Sequence, residues 1–264
     1  MSSLVSVIMP YYNKKNFFLK SINSVLKQTY TNLEILIIYD DQNRDDLEYI
    51  ESCIKNDFRV KIIFNDNNKG AAYSRNKAIS IANGEYIAFL DCDDYWETNK
   101  IEVQLNFMLN HGYDFSHTTY QIINYDKRIV GKVRAQGIIR YKNLLKSCDI
   151  ALSSVILKRK LLSDIKFPEL KTKEDFALWL DLAKKSVNLI GLDKPLMFWR
   201  QTPNSLSSSF DIVLSRLLLS NCIINRPLKL SNLNRCCHRD QLPKSDRVNS
   251  TQPSVSILCT VSAL

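Results

Sequence analysis

The sequence predicts an α/β protein with a mostly parallel central sheet flanked by helices, and three observations carry that expectation. Short apolar runs rich in β-branched residues recur through the first hundred residues, stretches with helical apolar spacing separate them, and polar or acidic residues follow each run. Alternation of this kind builds βαβ units, whose right-handed crossovers lay successive strands parallel. Side chains that bind or react then gather at the carboxyl ends of the strands, where an open α/β sheet forms its crevice.

The elements follow in order. Residues 4–9 (LVSVIM) make the first run, which Pro10 halts. Residues 16–26 place Phe18, Ile22, Val25 and Leu26 at helical spacing. Residues 33–39 (LEILIIY) are apolar on both faces, as a buried parallel strand requires. A strand over 60–64, a helix over 71–82 and a strand over 85–90 complete a βαβαβαβ pattern. The middle is less regular: 114–124 and 128–133 predict an antiparallel pair around Tyr125-Asp126-Lys127, followed by a helix over 141–146 and a strand over 153–158. Residues 174–185 (EDFALWLDLAKK) predict a helix with Phe176, Leu180 and Ala183 on one stripe, acids in its first turn and lysines in its last. A strand over 196–200 closes the pattern.

Composition sets the bounds. With 264 residues, 45% of them hydrophobic and 24% charged, the chain is long enough for a sizeable core, and six Gly and seven Pro exclude collagen-like or low-complexity architecture. The net charge is +9, of which +4 falls in residues 211–264, where periodicity lapses; that tail reads as flexible or as foreign to the domain. A basic excess permits a polyanion or an anionic membrane as partner, but no recognition motif accompanies it, so no nucleic acid is expected. Seven Cys without a C-x-x-C pair suggest neither a disulfide framework nor a zinc ribbon, and fit reduced thiols in the cytoplasm. No signal-peptide pattern opens the chain and no apolar run is long enough to span a membrane.

The strand ends carry the chemistry. Pro10-Tyr11-Tyr12-Asn13 follows the first strand and Asp40-Asp41 the second; Asn67-Asn68-Lys69-Gly70, with Arg75 beyond, follows the third and Asp91-Cys92-Asp93-Asp94 the fourth. Clustered carboxylates repel unless a positive charge sits among them, and hard oxygen ligands select Mg²⁺, Mn²⁺ or Ca²⁺. A divalent metal holding a diphosphate at the D-x-D pair, Asp91 and Asp93, would resolve that repulsion. No G-x-x-x-x-G-K-[ST] or G-x-G-x-x-G loop occurs. His111, His117 and His238 lack ligand spacing, while Trp96, Trp179 and Cys92 read as core.

VSVIMPYYN, SVLKQTYTNLEILIIYDD, NKGAAYSRNKAI, GEYIAFLDCDDYW and KEDFALWL resemble, in order, the motifs of family 2 inverting glycosyltransferases with a GT-A fold, across about residues 4–208. The resemblance implies a GT-A domain over 1–210, with a nucleotide-binding half to about residue 100 and an acceptor half, with a smaller antiparallel region, beyond it. It implies metal-dependent (Mn²⁺ or Mg²⁺) transfer of one sugar from a nucleotide sugar, on family grounds a UDP-sugar, to a glycan or lipid-linked acceptor in cell-surface polysaccharide assembly. Tyr12 would pack on the base with Pro10 shaping the same wall, and Asp40 or Asp41 would hydrogen-bond the base. Arg75 would neutralise phosphate, Asp91 would contact ribose and share the metal, and Asp93 would coordinate it. Asp175 would be the general base, with Glu174 holding or replacing it; Arg200 and Ser205 to Ser209 would cover the diphosphate. The Q-x-x-R-W motif of the processive synthases is absent, which favours single-sugar transfer. The basic tail would hold the enzyme at the inner face of the plasma membrane. Two rivals stand beside this reading: a nucleotidyltransferase, which would carry a glycine-rich, lysine-bearing loop where PYYNKKN stands, and an inactive nucleotide- or carbohydrate-binding module of the same fold.

Overall fold

The computed structural model describes residues 2–201. Ten strands, β1 (Val5–Tyr11), β2 (Leu33–Tyr39), β3 (Val60–Phe64), β4 (Tyr86–Phe89), β5 (Tyr95–Trp96), β6 (Phe115–Ile123), β7 (Ile129–Val133), β8 (Ile138–Ile139), β9 (Ile156–Lys158) and β10 (Leu189–Arg200), form one sheet in the order β3-β2-β1-β4-β9-β6-β10-β5, with β7 on β6 and β8 on β10. Pairing among β1 to β4 is parallel; β9 runs antiparallel between β4 and β6, and β10 lies parallel to β6. This mixed α/β sheet agrees with the class the sequence predicts.

Among the described residues six α-helices flank it: α1 (Lys15–Leu26), α2 (Leu47–Ile54), α3 (Ala71–Ile81), α4 (Lys100–His111), α5 (Tyr141–Leu144) and α6 (Glu174–Lys184). Period-two alternation sorts the strands into two cores. Val5, Val7 and Met9 of β1 and Ile35 and Ile37 of β2 pack against Phe18, Ile22 and Val25 of α1 and Ile101, Leu105 and Met108 of α4. Ile8, Leu36 and Ile38 face the other way, in the cluster that holds Ala72 and Ala78 of α3 and Leu178 and Trp179 of α6.

Three local expectations need correction. β1 does not stop before Pro10 but runs through it to Tyr11. Ile8 offers its carbonyl to Leu90 N on the β4 side, so the N–H that Pro10 lacks would point where β4 has already ended, and the Pro10 carbonyl there accepts from Cys92 Sγ instead. The strand expected over 153–158 is divided into a 3₁₀ turn, Leu152–Ser154, and β9, because Ser153 is drawn into the acidic loop described below. The closing strand is also longer than 196–200: β10 begins at Leu189 and passes two register irregularities around Pro195. Of the helices, α4 was not anticipated, and α2 was implied by the alternation without being placed.

Gly191 sits where β10 meets the turn before β8. Its N–H donates to Gly137 O, and a Cβ there would lie 1.8 Å from Gln136 O. Backbone cannot yield as a side-chain tip does. Gly191→Ala should therefore destabilise the protein by about 3 kcal/mol, at the upper end for overpacking, measured as a lowered urea midpoint with the slope unchanged.

Candidate active site

The parallel strands end on one edge, and the loops leaving them assemble the site. Tyr11 and Tyr12 alternate across the end of β1, so one points in and one out. Tyr11 is buried, packs edge-to-face against Phe18 and at a tilt against Tyr39, and donates its hydroxyl to Asp46 Oδ2 at 2.7 Å; Tyr12 is 49% exposed, an aromatic face open to a ligand.

Asp40 and Asp41, adjacent in sequence, are divided by the fold. Asp40 is buried, and its carboxylate accepts from Asn65 Nδ2, Lys69 N and Gly70 N at 2.7 to 2.8 Å. It thereby ties the loop after β3, including left-handed Gly70 at φ 87°, to the end of β2. Asp41 is half-buried and, among the described residues, accepts from the local Asn43 N.

Arg75, expected as a phosphate ligand at the start of α3, is instead buried inside a clamp. Nη2 donates to Asp91 Oδ1 at 2.7 Å and Nη1 to Glu174 Oε1 at 2.5 Å, and the guanidinium lies over the Phe167 ring. One cation thus joins the D-x-D loop after β4 to the first turn of α6, residues separated by more than eighty positions.

The acidic loop is more elaborate than D-x-D suggests. Asp93 Oδ2 accepts from Lys14 Nζ at 2.7 Å. Asp94 is buried, accepts from Ser153 Oγ at 2.6 Å and Arg200 N at 2.9 Å, and is pushed well above the ordinary carboxylate range by burial and by Asp93 and Asp91. Ser153 Oγ also accepts from Asp91 N, and Arg200 Nε donates to Asp93 O. Arg200 therefore braces the loop's backbone rather than projecting from it. The sequence places Asp94 at this strand end without giving it a role, whereas Lys14 and Ser153 reach the loop only through the fold.

The carboxylates suit a hard cation. Asp91 and Asp93 keep 37% and 20% of their side chains exposed, and a lysine ammonium already rests on Asp93. Among the described residues no three His, Cys, Asp or Glu side chains converge as a metal cage.

Asp175 stands in the first turn of α6, and its Oδ1 accepts from Phe176 N at 2.8 Å. Burial, then the adjacent Glu174 charge, raises its pKa to about 6, against the lowering pull of the Phe176 N–H, Arg75 and Lys173. That value suits a proton acceptor near neutrality. Tyr120 of β6 is buried within charge range of both Asp94 and Asp175, and burial with those acids pushes its phenol up. Trp96, Trp179 and Cys92 are core, and His117 is buried in β6 away from any ligand set. Ser205 to Ser209, the boundary near 210 and the basic tail lie outside the described residues.

Comparison with known proteins bears on the family and the fold. Residues 6–164 match the profile of Glycosyl transferase family 2. The chain is 42% identical over 207 residues, 78% of its length and 80% of the relative's, to the UDP-Glc:α-D-GlcNAc-diphosphoundecaprenol β-1,3-glucosyltransferase WfgD of Escherichia coli. Among solved structures it resembles S. aureus TarS 1–349 in complex with UDP-GlcNAc (24% identity, TM-score 0.67, covering 87% of this chain and 69% of that one). It also resembles the mannosyltransferase PcManGT of Pyrobaculum calidifontis in complex with GDP-Man and Mn²⁺ (13% identity, TM-score 0.64, 86% and 66%). At these identities the structural matches speak for the fold, which is that of the GT-A enzymes. The matched profile, the relative aligned over most of both chains and the acidic loop at the strand ends together make this chain a member of glycosyltransferase family 2.

Proposed function

We propose that the protein moves one glycosyl unit, with inversion, from a UDP-sugar to a lipid-linked glycan acceptor in surface-polysaccharide assembly. The observation that carries this reading is the Arg75 clamp, which joins Asp91 of the D-x-D loop to Glu174, the chain neighbour of Asp175; in this reading it holds the carboxylates that would serve the diphosphate on the same side of the fold as the base, whose pKa is raised to about 6. The printed activity of WfgD supports a UDP-sugar donor and a diphosphoundecaprenol-linked acceptor, and the UDP-GlcNAc and Mn²⁺ complexes of the structural neighbours support donor and metal.

In this reading the exposed Tyr12 ring stacks on the base, Pro10 shapes the wall beneath it, and Asp41, not the enclosed Asp40, accepts the base's N–H. Arg75 acts by holding Asp91 and Glu174 in place. Asp91 and Asp93 would hold the divalent cation, which when bound offsets the charge growing on the departing diphosphate. The Asp175 carboxylate takes the acceptor hydroxyl's proton as that oxygen attacks the anomeric carbon from the face opposite the leaving group. A single displacement inverts the centre.

The test is calorimetric titration of UDP, GDP and CMP with and without Mn²⁺, on the parent and on Asp93→Ala. Metal-dependent UDP binding that weakens at least tenfold in the variant is expected; UDP binding indifferent to both metal and Asp93 would refute the donor site as drawn. Tight UDP binding without transfer from any UDP-sugar would favour the inactive binding module.

A further inference from the structure

We infer that the hairpin joining β6 to β7 is a docking surface for anionic lipid. The inference rests on the reading above of a lipid-linked acceptor and goes beyond it by naming the surface that meets the bilayer.

Charge distribution comes first. The described residues hold 29 Lys and Arg against 24 Asp and Glu, an excess of five, and residues 125–134 alone hold four basic residues against one acid, Asp126. Outside that segment the described residues carry 25 basic and 23 acidic side chains, so three of the five excess positive charges sit in these ten positions. All four basic residues are exposed, and Arg134 lies 3.8 Å from Asp193. Apolar side chains stand among them: Tyr125 is 70% exposed, Ile129 60% and Val130 53%. The ladder explains why two neighbours on one strand both face outward. Ile122 pairs with Gly131 and Ile123 with Ile129, leaving Val130 as a bulge, and β7 has no strand on its other side among the described residues. Aromatic and aliphatic tips set among lysines and arginines match a headgroup interface, where rings and chains enter the boundary and cations meet anionic headgroups.

Position agrees. Ile123, the last residue of β6, pairs with Arg200 and accepts from Gln201 N, and Arg200 holds Asp93 O and the Asp94 carboxylate. The hairpin therefore springs from the strand next to the acidic loop, and a bilayer against it would present a lipid-linked sugar to the side of the site where Tyr120 and Asp175 lie.

The test is sedimentation of the full chain with vesicles of phosphatidylcholine alone or with one third phosphatidylglycerol, near physiological salt. The parent and a Lys127→Glu, Arg128→Glu, Lys132→Glu variant are compared. Each basic residue at such a surface is worth roughly fivefold in partitioning. The parent should bind only the anionic vesicles, and the variant should lose at least a hundredfold while retaining UDP affinity and transfer to a detergent-solubilised acceptor. Undiminished binding by the variant, or no vesicle binding by the parent, overturns the surface. Salt-sensitive capture of RNA by the parent without vesicle binding also overturns it. If vesicles bind as expected but no UDP-sugar is transferred to any acceptor, the surface stands and the proposed reaction fails, so the two fail separately.

Discussion

Asp175→Asn should lower kcat/KM for glycosyl transfer by about 10²- to 10⁴-fold, the range for loss of a positioned general base, while UDP affinity stays within a few-fold. The amide preserves the shape and the oxygen that accepts from Phe176 N, but cannot take a proton. In the parent, kcat/KM should fall tenfold per pH unit below about 6, because the carboxylate must be ionised to act and its pKa is raised to about that value. The variant should lose this limb. The stability effect has the opposite sense: a carboxyl whose folded pKa lies above its unfolded value favours folding at low pH, and that contribution is lost as pH rises to about 6 and beyond. At pH 7.5 the variant should therefore unfold no earlier than the parent. A parallel fall in activity and urea midpoint would point to a structural role for Asp175 and remove it as base.

Arg75→Met should cost about 3 kcal/mol of stability, the low end for breaking a buried ion pair, and abolish measurable transfer. The methionine fills much of the space but leaves Glu174, only 13% exposed, without its cation, and frees Asp91, which at 37% exposed is better solvated. Adding Glu174→Gln should return most of the lost stability, since the uncompensated charge is then gone. Transfer should not return with it, because the D-x-D loop and the first turn of α6 remain unfastened. Restored activity in the double variant would show that Arg75 serves stability alone. Urea unfolding read alongside single-turnover transfer separates these outcomes.

Much of the fold was legible because β1, β2 and β4 are buried on both faces, and burial writes itself as continuous apolar runs such as residues 33–39. The mixed half was less so. β10 alternates poorly around Pro195, and the turn at Leu152–Ser154 is shaped by Ser153 binding Asp91 and Asp94 rather than by any local preference. Helix α4 carries Ile101, Leu105 and Met108 at helical spacing and ends at left-handed Gly112, so its signal was present though unused. At the site, Asp91 and Asp93 could be named from their place after a strand, whereas Glu174 and Asp175 read locally only as acids in a helix's first turn and took their roles from the resemblance.

Their partners could not be named in that way. The sequence by itself determined the alternating α/β order, the acidic strand ends and the membership in a family of nucleotide-sugar enzymes, because each is written in local pattern. Tertiary structure alone decided that Asp40 is enclosed while Asp41 is open, that Tyr11 turns inward while Tyr12 faces out, and that Arg75 is a buried clamp. Lys14 meeting Asp93 across 79 positions belongs with these. Neighbouring residues share composition and spacing, so only the direction in which the folded backbone points each side chain, and what the distant chain brings to meet it, can tell them apart.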